Sequence, residues 1–445
     1  MKVDHIFDRK LTSFQIIILG FASAILLGTL FLMLPISSKT GVPTSFKDAL
    51  FTSTSAVCVT GLVVKDTACY WSYFGQAVIL GLIQIGGLGV ITVASMLSML
   101  AGKKISLMQR QTIQNAISAP QVGGVVKLTR FIVRTTVVTE FVGAVLLMPE
   151  FIKRYGVEGI WMSIFHSISA FCNAGFDLMG NKTGEFSSLT SFSGNLYVTL
   201  IISLLIIFGG IGFLAWDDIA TYKLKIREYR MQTKVIMATT FFFLIIPMIL
   251  FFFVDFSGEP MIERVCKSIF QSVTPRTAGF NTADFWTMTD SGRTIIMVLM
   301  LVGGSPGSTA GGMKTTTIAV LFANSVATFK KRKNANFFGR RIDDSGIKHA
   351  ATILFMYVTL SMIGALVISL TEKLPIQSCM FETFSAIGTV GLTMGITPSL
   401  GMISHIILML LMFFGRVGGL TIIYAAFSHK DTEASKFPIG NITVG

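Results

Sequence analysis

The sequence predicts an all-α membrane protein: eight transmembrane helices, set as four M1–pore-loop–M2 repeats around a central pseudo-fourfold pore. Three observations carry that expectation: long apolar runs, a short pattern that occurs four times, and basic residues confined to alternate loops. Hydrophobic residues are 52% of the 445 positions and charged residues 13%, about half the charged share of an ordinary soluble domain. The apolar content is concentrated in runs such as residues 14–35, 75–100 and 239–254. Runs near or above roughly 18 to 20 residues cross a bilayer as helices. The predicted spans lie near residues 13–36, 73–101, 126–150, 193–222, 235–256, 293–330, 348–371 and 401–427.

The repeated pattern falls between the first and second span of each pair. It reads Phe51-Thr52-Ser53-Thr54-Ser55 with Gly61-Leu62 following, then Phe165-His166-Ser167-Ile168-Ser169 with Gly175-Phe176. The third copy is Phe270-Gln271-Ser272-Val273-Thr274 with Gly279-Phe280, and the fourth Phe381-Glu382-Thr383-Phe384-Ser385 with Gly391-Leu392. The glycines are 114, 104 and 112 residues apart (175 − 61, 279 − 175, 391 − 279), the signature of an internal repeat. The repeats divide the chain into residues 1–101 (M1, pore loop, M2), 102–224 (a cytoplasmic loop and the second repeat), 225–333 (the third, with a broken M2 and a Gly-rich loop at 303–314) and 334–445 (the fourth, with a short C-terminal tail).

Topology follows from charge. The formal net charge of +13 sits in alternate loops: Lys103, Lys104, Arg110, Lys127 and Arg130, then residues 223–234, then Lys330-Lys331-Arg332-Lys333 with Arg340-Arg341. This positive-inside bias places those loops and both termini in the cytoplasm, and it argues against nucleic acid as the partner. Lys2, Arg9 and Lys10 precede an apolar run too long for a signal peptide, so the first helix is expected to be retained. Five cysteines without a CxxC pair indicate neither a disulfide framework nor a zinc site.

With cytoplasmic termini, all four copies of the pattern approach from outside, and each is too short to span. Each is therefore a re-entrant half-helix that turns back through an extended segment, which survives at that depth only where protein or a water-filled cavity surrounds it. A cation crossing a bilayer needs oxygens in place of its hydration shell, and rings of backbone carbonyls supply them without fixed charge. The residues before each glycine are the candidates: Cys58, Val59 and Thr60; Cys172, Asn173 and Ala174; Arg276, Thr277 and Ala278; Gly388, Thr389 and Val390. Glycine at the turn tolerates positive φ and lets four chains approach. The hydroxyls of Ser53, Ser55, Ser167, Ser169, Ser272, Thr274, Thr383 and Ser385 are placed to bond the bent backbone or their own helices.

Each second span holds a glycine cluster: Gly86-Gly87-Leu88-Gly89, Gly209-Gly210-Ile211-Gly212, Gly303-Gly304 and Gly415-Arg416-Val417-Gly418-Gly419. Close helix packing and a flexible backbone near the pore both explain them. Only the third span is expected to break, because Gly303-Gly304-Ser305-Pro306-Gly307-Ser308-Thr309-Ala310-Gly311-Gly312-Met313-Lys314 cannot continue a helix. That stretch is read as a flexible loop between two half-helices. It is not a phosphate-binding loop, since Met313 stands where such a motif needs glycine before lysine. Arg416 and Lys314 are costly in hydrocarbon and point to a functional or paired role. Glu140 is read as the partner of Arg134, with a coupling-ion site as the alternative, and His166 and Glu382 as decorating half-helix surfaces.

The four loops, with Val59-Thr60-Gly61, Thr277-Ala278-Gly279 and Thr389-Val390-Gly391, resemble the Ktr/Trk/HKT family of potassium transporters. The Gly-rich break and Arg416 match as well, and the length is most similar to the KtrB-type membrane subunit. The resemblance covers essentially the whole chain. It implies that Gly61, Gly175, Gly279 and Gly391 are filter glycines and that the 303–314 loop is the gate, with Arg416 beside it. It implies potassium as cargo held by filter carbonyls, sodium as an activator, and no nucleotide on this chain itself. It also implies a homodimer, one pore per subunit, docked on a cytosolic nucleotide-binding ring of KtrA type within a lipid membrane. The second loop departs with Asn173-Ala174-Gly175, and the third has a spacer one residue shorter with Pro275-Arg276. The competing readings are a sodium-coupled or less selective monovalent cation transporter and an organic-substrate secondary transporter. The latter would show inverted repeats. No enzyme activity is expected, with only five histidines and no HExxH motif.

Overall fold

The computed structural model describes residues 12–100, 105–117 and 123–426. Lys103 and Lys104, the basic residues ahead of the first helix, and the tail from residue 427 lie outside the described residues, as do both termini.

One sequence of elements recurs four times: a long helix, a short helix, and a helix interrupted near its middle. The long helices are Ser13–Leu32, Val125–Tyr155, Met231–Asp255 and Asp344–Glu372, each long and apolar enough to cross a membrane. The first starts at Thr12, whose hydroxyl accepts from the Gln15 amide at 3.3 Å while the Gln15 side chain accepts from the Thr12 amide at 3.0 Å. This reciprocal cap satisfies two donors that a helix start leaves unpaired. Leu26, Leu27 and Leu30 remain more than half exposed along one side, a face that suits lipid and would not suit water.

The short helices are Phe46–Val57, Glu158–Phe171, Met261–Val273 and Ile376–Gly388. At 12 to 14 residues each, they cannot span a bilayer. The first residue of the repeated pattern anchors each one: Phe51, Phe165, Phe270 and Phe381 are all buried. In the first two copies the next pattern hydroxyl ties the short helix to the long one. Ser53 donates to the Ile25 carbonyl and Ser167 to the Glu140 carbonyl, both at 2.7 Å. The helices come this close because Gly28 and Gly143 lie opposite those serines, where a Cβ would collide with the hydroxyl.

The interrupted helices correct the sequence expectation. Residues 73–101, 193–222 and 401–427 read as continuous spans, but every second helix breaks. Tyr73–Leu88 and Val90–Met99 meet at 95°, and Leu196–Ile211 and Phe213–Tyr222 at 97°. Met402–Val417 gives way to Gly419–Ala426 at Gly418, and Asp290–Leu301 to Thr315–Phe329 across the 303–314 loop. The breaking residues Gly89, Gly212 and Gly418 have φ of 87°, 100° and 90°, conformations that L-residues avoid. Three residues earlier in each cluster, a Cβ at Gly86, Gly209 or Gly415 would strike the carbonyl of Val57, Phe171 or Ile387 at the end of a short helix. The packing reading therefore holds for the first glycine of these three clusters. The first packs and the last bends. Apolarity alone could not reveal the bend, because both halves remain apolar.

Gly212→Ala is expected to destabilise the protein by about 1–2 kcal/mol through its positive φ alone, with a further clash against the Pro306 carbonyl, from which a Cβ would lie only 2.7 Å. Gly81→Ala is the control, since a Cβ there meets nothing within 4 Å. Thermal unfolding midpoints in detergent should fall for the first and not for the second.

Candidate functional site

The four pattern glycines meet around one axis, in chain order. A Cβ at Gly61 would press on the Ala174 carbonyl and lie 3.1 Å from the Gly175 Cα. At Gly175 it would lie 2.8 Å from the Ala278 carbonyl oxygen and 2.9 Å from the Gly279 Cα. At Gly279 it would collide with the Val390 carbonyl and come within 3.2 Å of the Gly391 Cα. At Gly391 it would collide with the Thr60 carbonyl and come 3.0 Å from the Gly61 Cα, closing the circuit. Four backbone segments, 104 or more residues apart in sequence, thus abut with no side chain between them. All sixteen residues singled out from the sequence, Cys58–Gly61, Cys172–Gly175, Arg276–Gly279 and Gly388–Gly391 (residues 58–61, 172–175, 276–279 and 388–391), lie in these segments.

The segments are not simply extended, as the sequence reading had them. Two residues before each glycine φ is positive: 58° at Val59, 59° at Asn173, 68° at Thr277 and 50° at Thr389. The glycines are positive too, at 92°, 71°, 79° and 93°, while the residues between them are not. A uniform strand sends successive carbonyls to opposite sides. Alternating the sign of φ turns them toward one side, which is what a carbonyl-lined path needs. Each non-glycine residue in the left-handed region costs about 1–2 kcal/mol, so other bonds must hold it there.

The last hydroxyl of the pattern does so in every copy. Ser55 and Ser385 accept from the amides of Gly61 and Gly391, both at 3.0 Å. Ser169 and Thr274 donate to the carbonyls of Phe176 and Phe280 at 2.7 and 2.6 Å. The shorter third spacer also has a visible consequence. The amides of Thr60, Ala174 and Val390 reach back five residues, to Ser55, Ser169 and Ser385, whereas that of Ala278 reaches back four, to Thr274.

Below the ring lies the 303–314 loop, which is firmly tied and not the flexible linker expected. Its Ser305 and Thr309 amides donate to the Gly210 and Gly209 carbonyls at 2.9 and 3.2 Å, and its Gly307 carbonyl accepts from Phe213 at 2.7 Å. The Gly312 amide donates to Gly415 at 3.2 Å. The loop therefore bonds to the breaks of the second and fourth interrupted helices. A Cβ at Gly311 would strike Thr389, and one at Gly312 would lie 2.7 Å from the Gly388 carbonyl, so the loop touches the fourth segment from beneath. Arg416 donates to the carbonyls of Thr309, Gly86 and Gly87, joining three repeats through one guanidinium. Lys314 donates to Ala310 and Gly311 at 2.8 and 3.2 Å. Both cations are held by carbonyls alone.

A cavity of about 250 Å³ opens above the ring, lined by all four glycines and by Asp66, Asp177 and Asp284. Another of about 330 Å³ lies below, lined by Gly312, Lys314 and Arg416. The polarity is opposite on the two sides of the ring: carboxylates above, cations below. Sequence reasoning missed the three aspartates. Their signal was there, at five, two and five residues after Gly61, Gly175 and Gly279, but the fourth repeat breaks the pattern.

Carboxylates above a ring of closely abutting backbone carbonyls make an environment that suits a cation. The chain matches the TrkH family, described as cation transport protein, over residues 2–436. It belongs to that family. Among curated relatives it is 41% identical to the potassium/sodium uptake protein NtpJ of Enterococcus hirae, over 98% of each chain. It is 37% identical to the Ktr system potassium uptake protein B of Bacillus subtilis, over 98% of this chain and 97% of the other. The crystal structure of the potassium transporter TrkH from Vibrio parahaemolyticus shares the fold, with a TM-score of 0.74, 18% identity and coverage of 94% of this chain and 86% of that one.

Other residues of this TrkH-family chain sit differently from the sequence expectation. Glu140 does not pair with Arg134. Its carboxylate accepts from the Gln84 amide at 3.1 Å and lies 3.6 Å from the Cys172 sulfur, behind the second segment. The Arg276 guanidinium is turned away from the ring, 3.4 Å from the Thr240 hydroxyl. The Asn173 side chain takes up the space between repeats, donating to the Ala170 and Ile206 carbonyls at 3.1 and 3.2 Å and accepting from Thr277 at 3.2 Å. Gly303-Gly304-Ser305-Pro306-Gly307 has the spacing of a nucleophile elbow, yet the Ser305 hydroxyl faces the Thr315 hydroxyl at 3.3 Å. His166 and Glu382 are not surface residues at all: both are fully buried.

Proposed function

We propose that this chain is the potassium-translocating subunit of a bacterial Ktr-type uptake system, built as eight transmembrane helices in four M1–pore-loop–M2 repeats. Ions are selected at the four single-glycine loops and gated by the 303–314 loop with Arg416. The observation that carries this reading is the closed circuit of Gly61, Gly175, Gly279 and Gly391, each backed by a carbonyl of the next loop. Carbonyl oxygens replace a hydration shell without trapping the ion. The aspartates above concentrate cations, and Lys314 and Arg416 below oppose their passage while the loop is in place.

The remaining parts follow from the same reading. Interrupted second helices count as spans, so the basic segments at residues 223–234 and 330–341 face the cytoplasm together with both termini. That basic surface suits anionic lipid headgroups and a cytosolic nucleotide-binding ring of KtrA type, with two copies of the chain forming the dimer that docks on it. The name of the NtpJ relative, potassium/sodium uptake, favours a second reading in which sodium is carried or activates transport.

Rubidium uptake into cells lacking their own potassium uptake tests both. Expression with a cytosolic partner is expected to restore saturable uptake that potassium competes for. Absence of any potassium-competed uptake overturns the proposal. Uptake seen only when sodium is added favours the sodium reading.

A further inference from the structure

The residue that follows the pattern phenylalanine is Thr52, His166, Gln271 or Glu382. It varies in chemistry from copy to copy, unlike the hydroxyls beside it. In two copies its side chain bonds the backbone amide twelve residues later, just beyond the glycine ring, and in a third it is linked to that amide through one other side chain. The Leu178 amide donates to His166 Nε2 at 3.4 Å. His166 Nδ1 meets the Met162 carbonyl at 2.7 Å, which fixes the proton on Nδ1 and leaves Nε2 free to accept. In the third copy the link is relayed: Gln271 donates to the Asn281 side-chain oxygen, which also accepts from the Ala283 amide, both at 3.1 Å.

The fourth copy has the strongest version. Glu382, with no exposed surface, accepts from the Met394 amide at 3.0 Å and from the Thr393 hydroxyl at 2.6 Å on one oxygen. Its other oxygen accepts from Thr397 at 2.6 Å. Met394 is held from the far side as well, since its carbonyl accepts from the Trp286 indole at 3.1 Å. In the first copy threonine is too short, and the buried Thr52 hydroxyl has no partner.

We propose that Glu382 is a positioning residue for ion discrimination, with His166 and Gln271 as weaker counterparts. Each straps the chain leaving a filter glycine to its own half-helix, and so sets how far the carbonyls can move when an ion of the wrong size binds. The inference rests on the filter reading above. Three hydrogen bonds from the departing chain converge on Glu382, against one on His166 Nε2, and an amide left unpaired in a buried site bears its full desolvation cost. Loop four is therefore the stiffest part of the ring, and loop one the loosest.

The test is uptake at varied potassium and sodium, normalised to the amount of protein in the membrane. Glu382→Ala is expected to lower the ratio of potassium to sodium affinity about tenfold, since it removes all three bonds and leaves the Met394 amide unpaired. Glu382→Gln keeps an acceptor for Met394 and is expected to stay within about threefold of the wild type. Thr397→Val, which leaves the Met394 bond intact, should shift the ratio in the same direction by less, and keeps the test valid if Glu382→Ala does not fold. A maximal rate that falls at an unaltered affinity ratio in both Glu382→Ala and Thr397→Val would reduce Glu382 to a packing role and overturn the proposal. So would Gln proving as damaging as Ala, because charge and not the strap would then matter. A wild type that does not discriminate potassium from sodium instead sinks the filter reading itself.

Discussion

Gly391→Ser is expected to lower apparent potassium affinity on the order of a hundredfold and to let sodium compete. Two costs combine. The glycine sits at φ 93°, where a side chain is strained by about 1–2 kcal/mol. The added Cβ would also collide with the Thr60 carbonyl of the neighbouring loop, and displacing packed backbone costs about 1–3 kcal/mol more. That carbonyl is one of the oxygens proposed to hold the ion, so the strain falls on the binding site and not on a remote contact. Rubidium uptake as a function of concentration, with sodium as competitor, measures the effect. Unchanged affinity and selectivity would remove Gly391 from the filter.

Deleting residues 305–309 is expected to raise uptake roughly tenfold to a hundredfold in the absence of any cytosolic partner. The deletion should be tolerated because the flanks already touch: a Cβ at Gly304 would contact the Ala310 side chain, and the Gly303 amide donates to the Met313 carbonyl at 2.8 Å. It removes the Ser305 and Thr309 amide bonds to the second broken helix, the Thr309 hydroxyl bond to Phe171 at 3.0 Å, and one acceptor of Arg416. Each neutral hydrogen bond is worth about 0.5–1.5 kcal/mol, which together shifts a closed–open balance by the stated factor. Uptake that stays low and partner-dependent after the deletion would place the gate elsewhere.

Much of this was legible in the chain. The pattern glycines, the hydroxyls that bond the turn and the break after Val302 are local features, each expressed by one residue type at one spacing. What escaped was of two kinds. The bends at Gly89, Gly212 and Gly418 hide within apolar runs, because hydropathy averages over both halves of a helix. The roles of His166 and Glu382 escaped because a polar residue on a short helix looks the same whether it faces outward or reaches a loop amide twelve residues on, and that of Glu140 because its partners, Gln84 and Cys172, come from distant segments.

The sequence by itself determined the repeat, the long apolar runs and which four glycines recur in it, since composition and spacing are properties of the chain. Only the tertiary structure decided that those glycines close a ring, that all four second helices break, and that the 303–314 loop is anchored by carbonyls of other repeats. The physical reason is that these are contacts between segments a hundred or more residues apart, made largely by backbone atoms. A carbonyl reads the same at every position in a sequence, and it acquires a role only from what it is folded against.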